Sequence, residues 1–403
     1  MSLPNGWKRT RIGEVARVTS GGTPSREHAN YWGGDVPWVT TGQINSCVIS
    51  KTDECITQDG LKNSSAKLVP TGTVLVAMIG ATRGKVAVLG IDAALNQNCA
   101  AVKVDKENSS KFIYYFLESS YEDLKLRANS GGQECLNANL IKGFEVILPS
   151  LSEQIAIARI LITWDEAIVQ LSTLIKKKQQ LKRALMQGLL TGDKRFAEFE
   201  GTPWRCVAIG DVLQLTTRFV EWDDDATYNL ASVRRNAGGL FWRESLPGRD
   251  IKVKKLHTVR ENDFLISHIQ AAYGAMGRVP AEFDNGHVSD MYSILTPRDG
   301  AEVEVRFVDL LSQTPLMRQL ILLSSNGFFA ERLRLNFDPL QFIKQQIPLP
   351  PTLAEQQKIA AIIDAADQEI ELLQRQLEAL KTQKRGLMQR LLSGEVRVPV
   401  SSA

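Results

Sequence analysis

The chain has 403 residues, is 43% hydrophobic and 23% charged, and carries a formal net charge of +3 at pH 7. That length and apolar content can bury more than one core, so two globular domains plus connecting elements are expected. The longest apolar runs, 74–79 and 156–161, fall far short of the roughly 20 residues of a membrane span, and the first ten residues lack the apolar core of a signal peptide, so cytoplasmic residence without a membrane partner is expected.

In chain order, the first 148 residues alternate short β-rich runs (36–40, 73–79, 85–89, 100–104) with Gly, Asn, Asp and Pro turns, followed by a helical stretch at 111–126. The segment Gly80, Gly84, Lys85, Val86 is similar to a phosphate-binding loop. It is one residue short between the glycines, however, and Val86 stands where a Ser or Thr would hold magnesium. A strand-to-strand turn with Arg83 and Lys85 at its tip is the expectation there. The cysteines Cys47, Cys55, Cys99, Cys135 and Cys206 contain no CxxC pair, and the four His lack ligand spacing, so neither a disulfide framework nor a metal site is expected.

Residues 149–195 are then written a second time at 351–397, with 19 of 47 positions identical at a constant offset of 202. Both copies open on Pro-x-Leu-x-Glu-Gln (Glu153, Gln154; Glu355, Gln356) and close on Lys-Arg-x-Leu-Met-Gln-x-Leu-Leu-(Thr/Ser)-Gly, from Lys182 to Gly192 and Lys384 to Gly394. The chain is two half-molecules in tandem. Beyond the opening Pro149 and Pro351 no proline lies in either copy, and apolar residues step by four and three along Ile157, Leu161, Trp164, Ile168, Leu171, Ile175 and along Ile359, Ile363, Ala366, Ile370, Leu373, Leu377, Leu380. Two helices of about 35–40 residues, roughly 55 Å long, with heptad seams follow from that spacing. The first seam meets Lys178 and resumes one position shifted at Leu181 and Leu185, which predicts a stutter or a change of partner; Lys176, Lys177 and Lys182 are assigned to a solvated face. A seam this long needs a partner of like length. The two copies are therefore expected to pair as a coiled-coil-like rod with a globular domain at each end, antiparallel because the second domain lies between them in sequence; the alternative folds each helix back on its own domain.

The stretch between the copies repeats the first unit loosely. Trp7, Lys8 and 12–15 answer Trp204, Arg205 and 209–212 at an offset of 197, and 69–76 answers 259–266 at 190. It again offers β runs (264–268, 292–295) and a helical stretch (305–323). The expected fold class is α+β: two similar globular domains, two long antiparallel helices, and a pseudo-twofold tandem repeat. Boundaries fall at 1–148, 149–195, 203–347 and 348–397. From 231 to 280 there are nine Lys or Arg (Arg234, Arg235, Arg243, Arg249, Lys252, Lys254, Lys255, Arg260, Arg278) against four acids. That excess is either a solvated face or a phosphate-binding one. No Asp/Asn-Pro-Pro-aromatic methyltransferase motif, GxSxG elbow, HExxH pair or Rossmann fingerprint is present, which favours a binding subunit over an enzyme.

With those repeated end motifs, and with 31–39 and 274–280 as further matching stretches, the whole chain closely resembles the specificity subunit of type I restriction-modification systems. The resemblance implies a non-catalytic subunit whose two target-recognition domains read a bipartite, asymmetric site on double-stranded DNA. It also implies two modification (methyltransferase) subunits and two restriction (translocase and endonuclease) subunits as partners. S-adenosylmethionine, ATP and magnesium would bind those partners and not this chain. DNA affinity needs cations on phosphates, and sequence choice needs amide, hydroxyl or guanidinium groups at base edges. The candidate DNA-binding residues are Thr40, Thr41, Gln43, Asn45, Arg83, Lys85 and Gln133 in the first domain, and Arg234, Arg235, Arg243, Lys252, Lys254, Lys255, Arg278 and Arg332 in the second. Each is otherwise a turn, strand-end or solvated position. Glu153, Gln154, Leu185, Met186, Glu355, Gln356, Leu387 and Met388 are the candidate partner-docking residues; the alternative is that they only cap and join the helices. An adaptor whose two domains bind proteins is the competing reading.

Overall fold

The computed structural model describes residues 3–45, 47–127, 135–326 and 336–399. The chain forms two compact units, one from residues 1–173 with 374–403, the other from 174–373. Each unit therefore takes half of each long helix.

In the first unit, strand Lys8–Arg11 pairs antiparallel with Glu145–Leu148. A five-stranded sheet follows in the order Ala16–Ser20, Cys99–Val104, Val74–Ala77, Val86–Leu89, Val48–Ile49. A second sheet runs Glu54–Ile56, Trp32–Val39, Ala93–Leu95, Leu68–Val69, with its central pair parallel. The second unit repeats this plan. Arg205–Ala208 pairs with Gln346–Leu349; one sheet runs Leu213–Thr216, Tyr292–Pro297, Phe264–Ser267, Met276–Arg278; the other runs Leu240–Pro247, Thr227–Val233, His287–Ser289, Leu256–Thr258, again with a parallel central pair. Apart from the edge strand Val48–Ile49, which has no counterpart among the described residues of the second unit, the two domains share strand order and pairing sense across sequences that align only loosely.

The helical stretch at 111–126 breaks into Ser110–Ser119 and Tyr121–Arg127, and that at 305–323 into Val305–Ser312 and Pro315–Leu323. The second break is chemical. Thr314 caps the new helix through its hydroxyl, and Pro315, which has no N–H to lose, occupies its first turn.

The long helices span Leu151–Thr191 and Leu353–Leu392, 41 and 40 residues. The first ends where Gly192 takes a φ of 78°, a left-handed position that terminates helices. In the first unit, Ile157, Ala158 and Leu161 share one core with Met388, Leu391, Leu392, Phe112 and Tyr115. In the second, Leu189 and Leu190 share a core with Ile359, Ile363, Phe264 and Phe307. The pairing is antiparallel within each unit: Glu153 meets Arg397 and Asp165 meets Lys384, while Glu355 meets Arg195 and Asp367 meets Lys182. The seam is fully buried at these ends and half-buried at Trp164, Ile168 and Leu171. Leu181, expected on the seam, is 53% exposed. Its neighbours Lys178 and Lys182 instead reach Glu369 and Asp367, each at 2.6 Å. Between Ile175 and Leu185 the contact is ionic rather than apolar, and Lys182 leaves the solvated face assigned to it.

Candidate nucleic-acid interface and helix joints

The repeated Glu-Gln motif is a structural joint. Glu153 and Gln154 are 2% and 1% exposed, Glu355 and Gln356 fully buried. The backbone N–H of Ser109 donates to Gln154 Oε1 at 2.9 Å, and Gln154 Nε2 donates to the Pro149 carbonyl at 3.0 Å. Gln356 repeats this with the N–H of Glu304 at 2.7 Å and the Pro350 carbonyl at 3.0 Å. Glu355 accepts both Arg195 Nε and Nη2, at 2.9 and 2.8 Å, and Trp204 Nε1 at 3.1 Å. Glu153 accepts Arg397 Nε and Nη2 at 2.7 and 2.9 Å. Met388 is buried, and Leu387, Leu185 and Met186 pack half-buried against their units' cores. The expectation of a docking surface is therefore corrected for five of these eight residues: Glu153, Gln154, Glu355, Gln356 and Met388 are buried, and the polar atoms of the Glu-Gln pairs are satisfied within the unit, so these five cap and join the helices; Leu185, Met186 and Leu387 keep part of their surface.

In the first unit, Thr40, Thr41, Gln43 and Asn45 form the turn after Trp32–Val39. Gln43 Oε1 accepts the Thr40 N–H at 3.1 Å, and Asn45 Nδ2 donates to the Gly42 carbonyl at 3.0 Å, so both amides shape the turn. Residues 80–85 form the expected strand-to-strand turn, with Gly80 and Gly84 at φ of 74° and 81°. Thr82 Oγ1 donates to the Thr41 carbonyl at 2.9 Å, joining the two candidate turns at one place, with Lys85 exposed and Arg83 half-buried. Gln133 lies outside the described residues, as does Arg332 of the second unit. A cation not singled out in the sequence is also present: Arg26 lies 3.5 Å over the Trp32 ring and grips Glu54 bidentately at 2.7 and 2.8 Å. That hydrogen-bonded guanidinium holds the Glu54 carboxyl below its usual range.

In the second unit, the basic stretch divides by partner. Arg243 pairs with Glu244 at 3.5 Å, Arg249 with Asp225 at 3.5 Å, Lys254 with Asp224 at 2.6 Å, and Arg260 with Asp284 at 3.7 Å. Lys254 and the Trp222 N–H hold the Asp224 carboxyl below its ordinary range. Arg278 donates to Asn262 Oδ1 at 2.9 Å. Arg243 and Lys252 line one cavity of about 380 Å³ together with His287 and Tyr292. Arg234 and Arg235 sit instead on the loop joining Thr227–Val233 to Leu240–Pro247. That loop turns through Asn236 and Ala237, at φ of 56° and 50°. Asn tolerates the left-handed region; Ala does not. Ala237→Gly is expected to stabilise the second unit by about 0.5–1 kcal/mol, once the larger backbone freedom of unfolded Gly is subtracted. Urea titration checks this, and an unchanged or lowered midpoint contradicts it.

The comparisons with known proteins follow this architecture. The type I restriction modification DNA specificity domain matches residues 4–183 and again 203–382. The specificity subunit of the type I restriction enzyme MjaIX of Methanocaldococcus jannaschii is 30% identical over 182 residues, covering 44% of this chain and 41% of that protein. The EcoR124I/EcoR124II specificity subunit of Escherichia coli is 28% identical over 166 residues, 40% of each chain. The matched stretch thus spans about two-fifths of those two relatives. The MjaVIII specificity subunit of M. jannaschii aligns at 22% identity over 99% of this chain and 95% of its own. Among solved structures, the type I S subunit of M. genitalium superposes with a TM-score of 0.58 at 17% identity, over 97% of this chain and 98% of that one. HsdS of Thermoanaerobacter tengcongensis gives 0.54 at 21%, over 98% and 99%. Those two share the fold. With both of its halves matched, the chain belongs to the type I restriction modification DNA specificity domain family.

Proposed function

We propose that this chain is the DNA specificity subunit of a type I restriction-modification complex, reading a bipartite, asymmetric target with one half-site per globular domain. The observation that carries the reading is the pair of domains built on one strand plan with different loops. A duplicated scaffold with two unlike surfaces serves to read two unlike half-sites. The chain itself is non-catalytic and holds neither S-adenosylmethionine, ATP nor magnesium. Two modification and two restriction subunits bring those. Because Glu153, Gln154, Glu355, Gln356 and Met388 are buried, docking is assigned to the outer helix faces, where Val169 in the first unit and Leu181 and Leu372 in the second are 62%, 53% and 55% exposed.

Lys252 and Lys255, both exposed and without an ion-pair partner among the described residues, are assigned to phosphates. Lys252→Glu with Lys255→Glu, in a complex co-purified with the modification subunit, is expected to weaken DNA binding about 10- to 100-fold near 150 mM salt. It should also flatten the salt slope by about two, with sequence preference retained. Binding by the unaltered complex that ignores salt would remove the DNA-reading function.

A further inference from the structure

The geometry points to the hairpin tip Arg234–Arg235–Asn236 as the base-reading element of the second domain, with the Asn236 carboxamide selecting an adenine and Arg235 a guanine. The inference rests on the DNA-reading function proposed above and assigns which atoms do the reading.

Three observations single the tip out. Its two arginines are held in place without being neutralised. Arg234 donates from Nη1 to the Leu240 carbonyl at 2.8 Å and lies 4.8 Å over the Phe241 ring; Arg235 lies 4.7 Å over the Tyr273 ring. Neither meets a carboxylate among the described residues, whereas Arg243, Arg249, Lys254 and Arg260 in the same stretch all do. A planar guanidinium resting on an aromatic face is pre-oriented yet keeps its charge and outer donors for a ligand.

The backbone beneath is fixed as well. The N–H of Asn236 donates to the Tyr273 carbonyl at 2.8 Å and that of Ala237 to the Gly274 carbonyl at 2.7 Å. Gly274 is needed for this approach: its φ is 71°, and a Cβ there would lie 3.2 Å from Asn236 Cα. The tip is thus bolted to the 271–274 turn, and the left-handed Ala237 shows a conformation kept against its local preference.

The chemistry of the exposed groups is that of base edges. All three side chains are exposed. A carboxamide can accept from adenine N6–H and donate to N7, and a guanidinium fork can donate to guanine O6 and N7. A phosphate-gripping element needs cations alone and gains little from an exposed amide beside them on a fixed backbone. In the first unit, by contrast, the Gln43 and Asn45 amides are engaged in their own turn.

The test uses the complex with its modification subunit, S-adenosylmethionine and genomic DNA, with methylated positions mapped by single-molecule sequencing. Asn236→Asp keeps a residue that tolerates the left-handed turn but removes the amide donor; Arg235→Lys keeps the charge but removes the fork. Each is expected to relax one base pair of one half-site, with discrimination falling about 5- to 100-fold there. The other half-site should stay unchanged, serving as the internal control for folding and assembly. Methylation that falls evenly over all sites with the motif intact makes the tip a backbone contact and overturns the proposal. So does an unaltered motif at an unaltered rate. If the wild-type complex methylates DNA but yields no split motif, the parent reading fails with it.

Discussion

Replacing Arg195 by alanine is expected to cost the 174–373 unit about 3 kcal/mol, the lower end of what breaking one side of a buried ion pair does. The Glu355 carboxylate is fully buried and takes two of its three side-chain hydrogen bonds from this one guanidinium. Without it the charge remains, facing only the Trp204 N–H. That surviving bond, and the 13% exposure of the Arg195 side chain, keep the figure from the upper end. Chemical denaturation with hydrogen exchange on residues 174–373 measures it. Arg195→Ala with Glu355→Gln should recover a large part of the loss, because the buried charge is then gone. If the single variant costs under about 1 kcal/mol, the pair is peripheral. The same substitution at Arg397, whose side chain is 46% exposed, should have a visibly smaller effect although the pairing with Glu153 is the same in form.

The second large effect is expected at Lys384. Its ammonium sits 2.7 Å from Asp165 and 3.3 Å from Glu118, and those carboxylates also receive the hydroxyls of Tyr115 and Tyr114 at 2.7 and 3.0 Å. Burial disfavours the charge, yet the two carboxylates outweigh it and hold the Lys384 pKa above its ordinary value. Burial together with Asp165 pushes the Tyr115 phenol far above its usual range. Lys384→Met, matched in length but uncharged, leaves two close carboxylates without their cation. A loss of about 3 kcal/mol from the first unit is expected. A double-mutant cycle with Asp165→Asn should return a coupling of about 2 kcal/mol, and a coupling near zero would show that Glu118 alone holds the lysine. The counterpart Lys182 reaches only Asp367 among the described carboxylates, so Lys182→Met should cost markedly less.

These pairs explain what the repeat had to keep. Glu153, Gln154, Asp165, Lys182 and Arg195 are unchanged in their second copies, and each makes its equivalent contact in both units. Identity at a fixed offset therefore marked the joints without saying that they were joints: an exposed docking motif and a buried ion pair look alike in sequence, because burial is a property of the packed unit. The heptad spacing revealed the long helices, and the second domain lying between them implied their antiparallel sense, but the periodicity missed the exchange of Leu181 for lysine–carboxylate pairing, since it does not see a favourable charge opposite. The offset of 190 between 69–76 and 259–266 foreshadowed the shared strand plan, with Val74–Ala77 matching Phe264–Ser267. Arg234 and Arg235 were legible as cations. Asn236 was not, because its importance lies in a left-handed turn and in backbone bonds to residues nearly forty positions later.

The composition of the first unit, whose core joins Trp7, Phe112 and Ile157 to Met388, Leu391 and Leu392, has a consequence for biosynthesis. Residues 174–373 emerge from the ribosome as one uninterrupted stretch and can close their core while translation continues. The domain made first cannot. It waits through the synthesis of the entire second unit with an apolar groove open where the last helical turns belong, and is completed only as residues 374–403 leave the tunnel. For that interval of roughly ten to forty seconds at ordinary elongation rates, the nascent chain presents a sticky, unfinished unit, a natural client for a chaperone that shields apolar surface until residues 374–403 have emerged.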